Sequence, residues 1–511
     1  MAVLCALPAI PLLGTVAVDA DLWGHVRTGQ LIWARRAVPV VDPWSYTAPG
    51  PWLNHTWLAD VVLAAAWEAL GNVGLLLVRA VPLLVLTGAF GRAVWHRWPS
   101  PLGTVLLVAP TLTVLLQFVN MQPQSWTYAL TAVVLLLLDA SRQGRIAAAW
   151  TLPPLLAVWA NLHAGFLIGW GLAGFGLVSL CLGTEAAPPP DAGRRRAFLL
   201  AALGVAAAPL VNPHGTRLFT YLAAELSVPH HTVLEWSPPT GIVGAWIVAL
   251  TVASLAVSVL AGWATRWSTI RLSEVVALVV SAAQARGAIK FLALVMLFAP
   301  VVLASGFAAL GRRWSTTSGT PARPSALIRL GRRWSAVTAA LAPAPAWATG
   351  VALLAVGSLL PVELPDLQQY AGQVFVEPGR YPQGAVRFLA RHPLQPRLAT
   401  NLAWGDYVIW HVGDRYRVSM DARNTTVYPP DFTNRYLVAW YRGDLRGVLG
   451  EHGADALLVE TRGALYEAAA RDPAWTLAFE SPVGSVFVSA GRWSTPPLAL
   501  SQEPGPREFP G

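Results

Sequence analysis

The feature that most limits what this chain can fold into is a series of apolar, nearly uncharged runs recurring through its first two thirds. They lie near 2–18, 72–91, 101–119, 125–140, 146–160, 163–183, 197–211, 242–262, 270–285, 289–308 and 345–361. About 20 helical residues span the hydrocarbon of a bilayer, so these runs predict about eleven transmembrane helices. With 55% hydrophobic and only 12% charged residues, the composition excludes a soluble globular enzyme and points to a polytopic α-helical membrane protein. The stretch WLADVVLAAAWEAL at 57–70 is also apolar, but Asp60 and Glu68 interrupt it, and it reads as a separate interfacial helix.

The formal net charge of +9 does not imply nucleic acid, because nearly every basic residue is arginine and many sit in short loops between apolar runs. Five alternate loops hold Arg92 and Arg97, Arg142 and Arg145, Arg194 to Arg196, Arg266 and Arg271, and the group from Arg312 to Arg333. Basic residues favour cytoplasmic loops, which assigns these five to one side. The last, 309–344, repeats LGRRWS and reads as a basic cytoplasmic linker able to touch anionic lipid. Residues 1–18 lack a basic n-region and a cleavage site, so they read as a signal anchor. Cys5 and Cys181 both fall inside apolar runs, which makes no disulfide framework.

The opposite, extracytoplasmic side receives the first large loop 19–56 and everything after about 362. Up to that point, 1–361, the chain is one transmembrane domain. Residues 362–511 turn polar, with alternating runs such as YRVSM and DALLVE beside helical ones such as YPQGAVRFLARH; they read as a C-terminal α/β domain with a flexible end after about 492.

VDADLWGHVRTG, at 18–29, opens the first loop with two carboxylates, a histidine and an arginine. On a helix Asp19 and Asp21 point about 200° apart, whereas Asp21 and His25 at i,i+4 share a face. Either the segment is extended and Asp19 with Asp21 converge on one cation, or a short helix presents Asp21 with His25. A plainer alternative has the aspartates capping a helix that Trp23 anchors at the interface.

With the rest of the loop, VDPWSYTAPGPWLNHTWLAD, the stretch resembles bacterial polytopic proteins carrying D-x-D-x-W-x-H-x-x-x-G, then D-P-x-S-Y-T, then W-x-x-H-x-W-L. These look like members of the GT-C superfamily, membrane glycosyltransferases that use polyprenyl-phosphate-linked sugars. The resemblance implies acidic residues in the first outer loop, a place that Asp19, Asp21 and Asp42 occupy. MQPQSWTYAL at 121–130, WANLHAGFLIG at 159–169 and VNPHGTRLFTYL at 211–222 are similar to later motifs of the same proteins. TVLEW at 232–236 is similar to the T-I-x-E motif of the oligosaccharyltransferase catalytic subunit, which gives Glu235 a metal or acceptor role. WGDYVIW at 404–410 is similar to its W-W-D-Y-G motif, which makes Trp404, Asp406 and Tyr407 acceptor candidates. The loop QFVNMQPQS lacks the second acidic motif of that subunit, so a monosaccharide-transferring relative is favoured over an oligosaccharyltransferase.

Arg79 inside an apolar run, and Arg286 and Lys290 at an outer junction, are charges that the bilayer makes expensive. They are candidates for holding a donor phosphate, against the alternative that Glu274 or Glu235 pairs them. His55, and Asn161 with His163 at the start of a span, are further cavity candidates. No Cys–His zinc pattern, P-loop or G-x-S-x-G elbow occurs, which argues for a donor presented from lipid rather than a nucleotide sugar.

The resulting expectation is an inner-membrane glycosyltransferase with Asp21 or Asp19 as catalytic carboxylate. A divalent cation, Mg or Mn, would sit on Asp19, Asp21, His25 and Glu235. The acceptor would be a glycan, lipid or protein. The rivals are a non-catalytic envelope-assembly or lipid-linked-glycan transport protein, and an enzyme moving a phosphorylated group or whole oligosaccharide.

Overall fold

The computed structural model describes residues 16–48, 50–115, 118–185, 187–227, 236–316, 373–377, 379–392, 394, 396–505 and 507–511. In chain order its helices are α1 (Leu22–Arg35), α2 (Trp57–Arg97), α3 (Pro101–Leu115), α4 (Gln124–Arg142), α5 (Ile146–Leu162), α6 (Phe166–Leu182), α7 (Ala192–Ala207), α8 (Arg217–Ser227), α9 (Gly241–Ala264), α10 (Leu272–Gly287) and α11 (Leu292–Thr316). Then follow α12 (Gln383–Arg391), α13 (Leu402–Val412), α14 (Pro430–Arg442), α15 (Leu445–Leu449) and α16 (Ala464–Arg471). The chain divides into two compact units.

The first unit contains residues 79–215 and those from 236 to 316, and is all helical. Apolar composition builds it: α6 packs on α7, α4 on α5, and α9 and α10 on α11. Three helices are long and apolar enough to cross a membrane, Trp57–Arg97, Gly241–Ala264 and Ile289–Arg313; Gly103–Leu115, Ile146–Leu162 and Phe166–Leu182 are apolar but shorter. The run 345–361, nearly all of 2–18 and most of the 309–344 linker lie outside the described residues. The range of α2 holds two helices, because Gly71 breaks it with φ +57° and ψ −136°; the first of them covers the helix expected at 57–70.

Three of the arginines that read as topology signals meet in the buried core of this unit. Arg97 Nη1 lies 2.6 Å from Asp139 and Nη2 2.5 Å from Glu274, while Arg142 reaches Asp139 at 3.0 Å, Glu274 at 3.1 Å and Glu185 at 3.1 Å. Arg271 also pairs with Asp139. Three cations thus face three carboxylates. Buried charge survives when it is paired and hydrogen-bonded in this way.

The second unit contains residues 16–78 and 216–227 and the described chain from 373 onward. The tail and the first loop therefore form one body, rather than the separate tail domain expected from 362. Its main sheet has the order β4-β3-β5-β7-β6-β8, from strands β3 (Arg397–Ala399), β4 (Arg417–Val418), β5 (Ala456–Glu460), β6 (Trp475–Glu480), β7 (Gly484–Ser489) and β8 (Leu498–Ala499). β3 pairs parallel with β4 and with β5, and β5-β7-β6 are antiparallel. ALLVE and GSVFVS are buried nearly throughout, as central strands covered on both faces require. The first loop protects the β4 edge, with Ser45 bridging Val418. A second sheet orders β1 (Val16–Ala17), β2 (Val374–Val376) and β9 (Arg507–Glu508). The expected loose end after 492 instead forms β8 and β9, and Phe509 is buried against Trp23, Trp67 and Trp410.

Candidate functional site

In the second unit the VDADLWGHVRTG stretch resolves to a helix. Asp19 makes the entry turn: its carboxylate accepts from the Ala20 N–H at 2.9 Å and its carbonyl from the Leu22 N–H at 3.1 Å. Asp21 then occupies the N-cap position of α1, and its carbonyl accepts the His25 N–H at 2.9 Å. Of the two arrangements the sequence allows, the helical one is observed. His25 Nε2 lies 3.6 Å from Asp21 Oδ2, while Nδ1 donates to Asp60 Oδ1 at 2.7 Å.

Asp60 is the residue that sequence reasoning missed. It sits one turn into α2, with only 2% of its side chain exposed, and accepts further bonds from Asn54 Nδ2 at 2.7 Å and Thr56 Oγ1 at 3.4 Å. An acid inside an apolar helix start is the signal that the sequence offers for it. Burial alone pushes the His25 ring down, but Asp60 and then Asp21 outweigh it and hold His25 well above its usual range. His25 is therefore a positioned imidazolium between a buried and a part-exposed carboxylate.

The side-chain hydrogen bond of His25 runs from Nδ1 to Asp60, and Asp21 faces Nε2 as an ion-pair partner at 3.6 Å. Among the described residues no three His, Cys, Asp or Glu side chains group as a metal site, and Glu235 lies outside the described residues. Of the expected cation set, Asp19, Asp21 and His25 are described, and His25 is engaged by Asp60.

Trp23, considered as an interfacial anchor, is fully buried; its indole N–H donates to Pro510 O at 2.9 Å and its ring packs edge-on against Tyr381 and Tyr407. The acceptor motif WGDYVIW forms α13, begun by Asn401, whose side chain accepts from the Trp404 N–H. α13 packs on α1. A Cβ on Gly405 would lie 2.2 Å from Met420 O and one on Gly24 2.5 Å from Asp406 Cγ, so glycine is what lets both approaches close. Trp404 donates its indole N–H to Arg380 O, and Tyr407 is buried beside Trp23. Asp406 is 0% exposed, and neither oxygen has a hydrogen-bond partner among the described residues. Burial first, then Asp421 and Asp21, push Asp406 well above the usual carboxylate range against the pull of Arg423 and His25. Trp404, Asp406 and Tyr407 are thus buried against the start of α1 and do not present an open acceptor surface.

Asp42 is also committed. Its oxygens accept from the Trp44 and Ser45 N–H groups, and Arg423 pairs with it at 2.5 Å and with Asp421 at 2.7 Å while lying over the Trp44 and Trp52 rings. Asp42 therefore pins the loop to the sheet domain instead of lining a cavity. His55 packs on Tyr221, with ring centroids 5.5 Å apart.

The remaining candidates belong to the first unit. Asn161 donates to Ala157 O and Val211 O, and His163 Nδ1 meets Thr127 Oγ1 at 2.9 Å and accepts the Gly165 N–H at 3.0 Å; both tie helix ends together. Arg79 donates Nε–H to Val119 O. Arg286 is exposed in the last turn of α10, and Lys290 Nζ sits 2.8 Å from the centre of the Trp236 ring. Glu274 is engaged in the buried arginine network.

No family model matches the chain, and no curated protein matches it in sequence. Among solved structures it is similar to the archaeal oligosaccharyltransferase AglB from Archaeoglobus fulgidus, in complex with an inhibitory peptide and a dolichol-phosphate: 12% identity over 90% of this chain and 68% of that one, TM-score 0.50. It also matches ArnT from Cupriavidus metallidurans in the apo state (15% identity, 97% of each chain, TM-score 0.48) and bound to undecaprenyl phosphate (14% identity, 97% and 98%, TM-score 0.46). The likeness to AglB shows the fold, and that fold agrees with the one that the first-loop resemblance implies.

Proposed function

We propose that the chain is a membrane glycosyltransferase that moves a sugar from a polyprenyl-phosphate-linked donor to an acceptor at the extracytoplasmic face of the cytoplasmic membrane, with inversion. The observation that carries the reading is the Asp21–His25–Asp60 line at the start of the first loop. Asp60 fixes the imidazolium, and the imidazolium holds Asp21, whose side chain keeps 28% exposure. A carboxylate held in this way takes the acceptor hydroxyl proton as the oxygen attacks the anomeric carbon; the bond from that carbon to phosphate breaks and the polyprenyl phosphate leaves. Arg286 and Lys290, with Arg79 as a further candidate, are cations of the first unit whose chemistry suits a phosphate. No step is assigned to a divalent cation.

The test is sugar transfer from polyprenyl-phosphate-linked donors by purified, reconstituted protein, with product analysis. Asp21→Asn with intact folding lowers turnover by about 100-fold or more, the scale of lost general-base catalysis. Asp19→Asn, which keeps an oxygen for the Ala20 N–H, retains turnover within about tenfold. Unchanged transfer in Asp21→Asn refutes the assignment.

A further inference from the structure

On the first unit's arginine-rich side, read from the sequence as cytoplasmic, a pocket of about 190 Å³ opens between the end of α2, the turn joining α9 to α10, and α11. Its lining includes His96, Ser268, Thr269, Arg271, Ser305 and Arg312. The buried network beneath it is charge-balanced, and all three nitrogens of Arg97 are already bonded to Asp139, Glu274 and Ala93 O. Arg271 differs. Its Nη1 joins Asp139 and Glu274, but its Nε and Nη2 make no hydrogen bond among the described residues, which leaves one edge of the guanidinium unused. Ser305 Oγ is buried without a partner among the described residues.

The turn is built at a cost. Arg266 and Trp267 both take left-handed backbone, φ 53° and 65°, which disfavours ordinary side chains by roughly 1–3 kcal/mol each. Trp267 donates its N–H to Gly262 O at 2.6 Å, a contact that places Ser268 and Thr269 at the pocket wall.

We propose that this pocket binds a phosphate-bearing anion, either the headgroup of an anionic lipid or free phosphate, on the unused edge of Arg271 with Arg312 and the Ser305 hydroxyl. A guanidinium edge matches two phosphate oxygens at once. A pocket of about 190 Å³ has room for a phosphate group and its linker. Anionic lipid concentrates at the cytoplasmic surface, where such a pocket would open.

The full-length protein in detergent is titrated with inorganic phosphate against chloride at matched ionic strength, and thermal unfolding is followed. In parallel, nanodiscs of phosphatidylcholine with and without phosphatidylglycerol are compared by native mass spectrometry for lipid retained on the released protein. Saturable stabilisation or retention by either probe is expected, weakened about tenfold in Arg271→Gln and in Arg312→Gln but not in the exposed control Arg195→Gln. Arg312→Gln keeps the test decisive if loss of Arg271 disturbs the buried network. Response to phosphatidylglycerol alone identifies a headgroup; response to inorganic phosphate alone identifies the free anion. No response to either, or equal responses in the wild type and Arg312→Gln, overturns the proposal.

Discussion

Replacing Asp60 by asparagine removes the charge that fixes His25 while keeping the side-chain volume. Asp60 accepts three hydrogen bonds, from His25 at 2.7 Å, Asn54 at 2.7 Å and Thr56 at 3.4 Å. An amide retains one acceptor oxygen and turns a donor toward His25 or Asn54, so one charged bond is lost and one donor faces another. A hydrogen bond to a charged group contributes about 1.5–3 kcal/mol, and stranding a buried ion costs about 3–5 kcal/mol. His25 escapes the upper figure, because it can release its proton and Asp21 remains 3.6 Å away. The expected destabilisation is therefore about 3 kcal/mol. A pH signature accompanies it. The folded-state pKa of His25 is raised, so the stabilisation is fully present below about 6.5, the unfolded value, and is lost as pH rises through the higher folded value. Thermal unfolding in detergent, read by tryptophan fluorescence from Trp23, Trp44 and Trp67 in this unit, should show the wild-type midpoint falling on the alkaline side of neutrality. Asp60→Asn should lose that slope. A variant that keeps the wild-type slope, or loses less than about 1 kcal/mol, refutes the Asp60–His25 pairing.

Three further outcomes are expected. Gly24→Ala places a Cβ 2.5 Å from Asp406 Cγ and should cost about 1–3 kcal/mol of overpacking, with a lower unfolding midpoint and a near-ultraviolet circular dichroism change around Trp23. Glu274→Gln leaves Arg97, Arg142 and Arg271 short of one buried negative charge and should cost about 3–5 kcal/mol, seen as loss of monodisperse protein in detergent; an unchanged midpoint would remove the network from the stability argument. Asp406→Asn should leave acid stability nearly unchanged and raise the midpoint at alkaline pH. A carboxyl with a raised folded pKa gives up stability as pH climbs from its unfolded to its folded value, and an amide does not. A lower alkaline midpoint in Asp406→Asn would mean that the ionised form is held by the fold.

The helical runs were legible because hydrophobicity over fifteen or more residues is a local property, and the described helices from α2 to α11, except α8, fall on the runs between 72 and 308. Asp21 with His25 was legible for the same reason, since i,i+4 spacing needs no knowledge of the rest of the chain. Asp60 was not: its partner is 35 residues away, and an acid in an apolar helix reads as a flaw until the histidine it faces is known. The arginines of the loops carried a correct message about composition and an incomplete one about roles, because Arg97, Arg142 and Arg271 also balance Asp139, Glu185 and Glu274 in the core. The last strands, two residues each, are fixed by their partners Val374–Val376 and Phe479–Glu480, which no local pattern announces.

The W-G-D-Y match shows where motif reasoning and packing part company. In a short motif the residue types alone suggest a surface that meets an acceptor. Here both glycines near Asp406 serve close approach, Trp404 donates to Arg380 O, and Tyr407 packs against Trp23, so the motif builds the floor on which α1 rests. Asp42, Asp60 and Asp406 are each 9% exposed or less, and Arg423, His25 or burial accounts for the state of each. Asp21 combines solvent access with a cation fixed beside it. A carboxylate that must accept a proton from an incoming hydroxyl needs both access and a fixed orientation. By that criterion Asp21, at the helical start of α1, fits the proposed role of base better than Asp42 or Asp406.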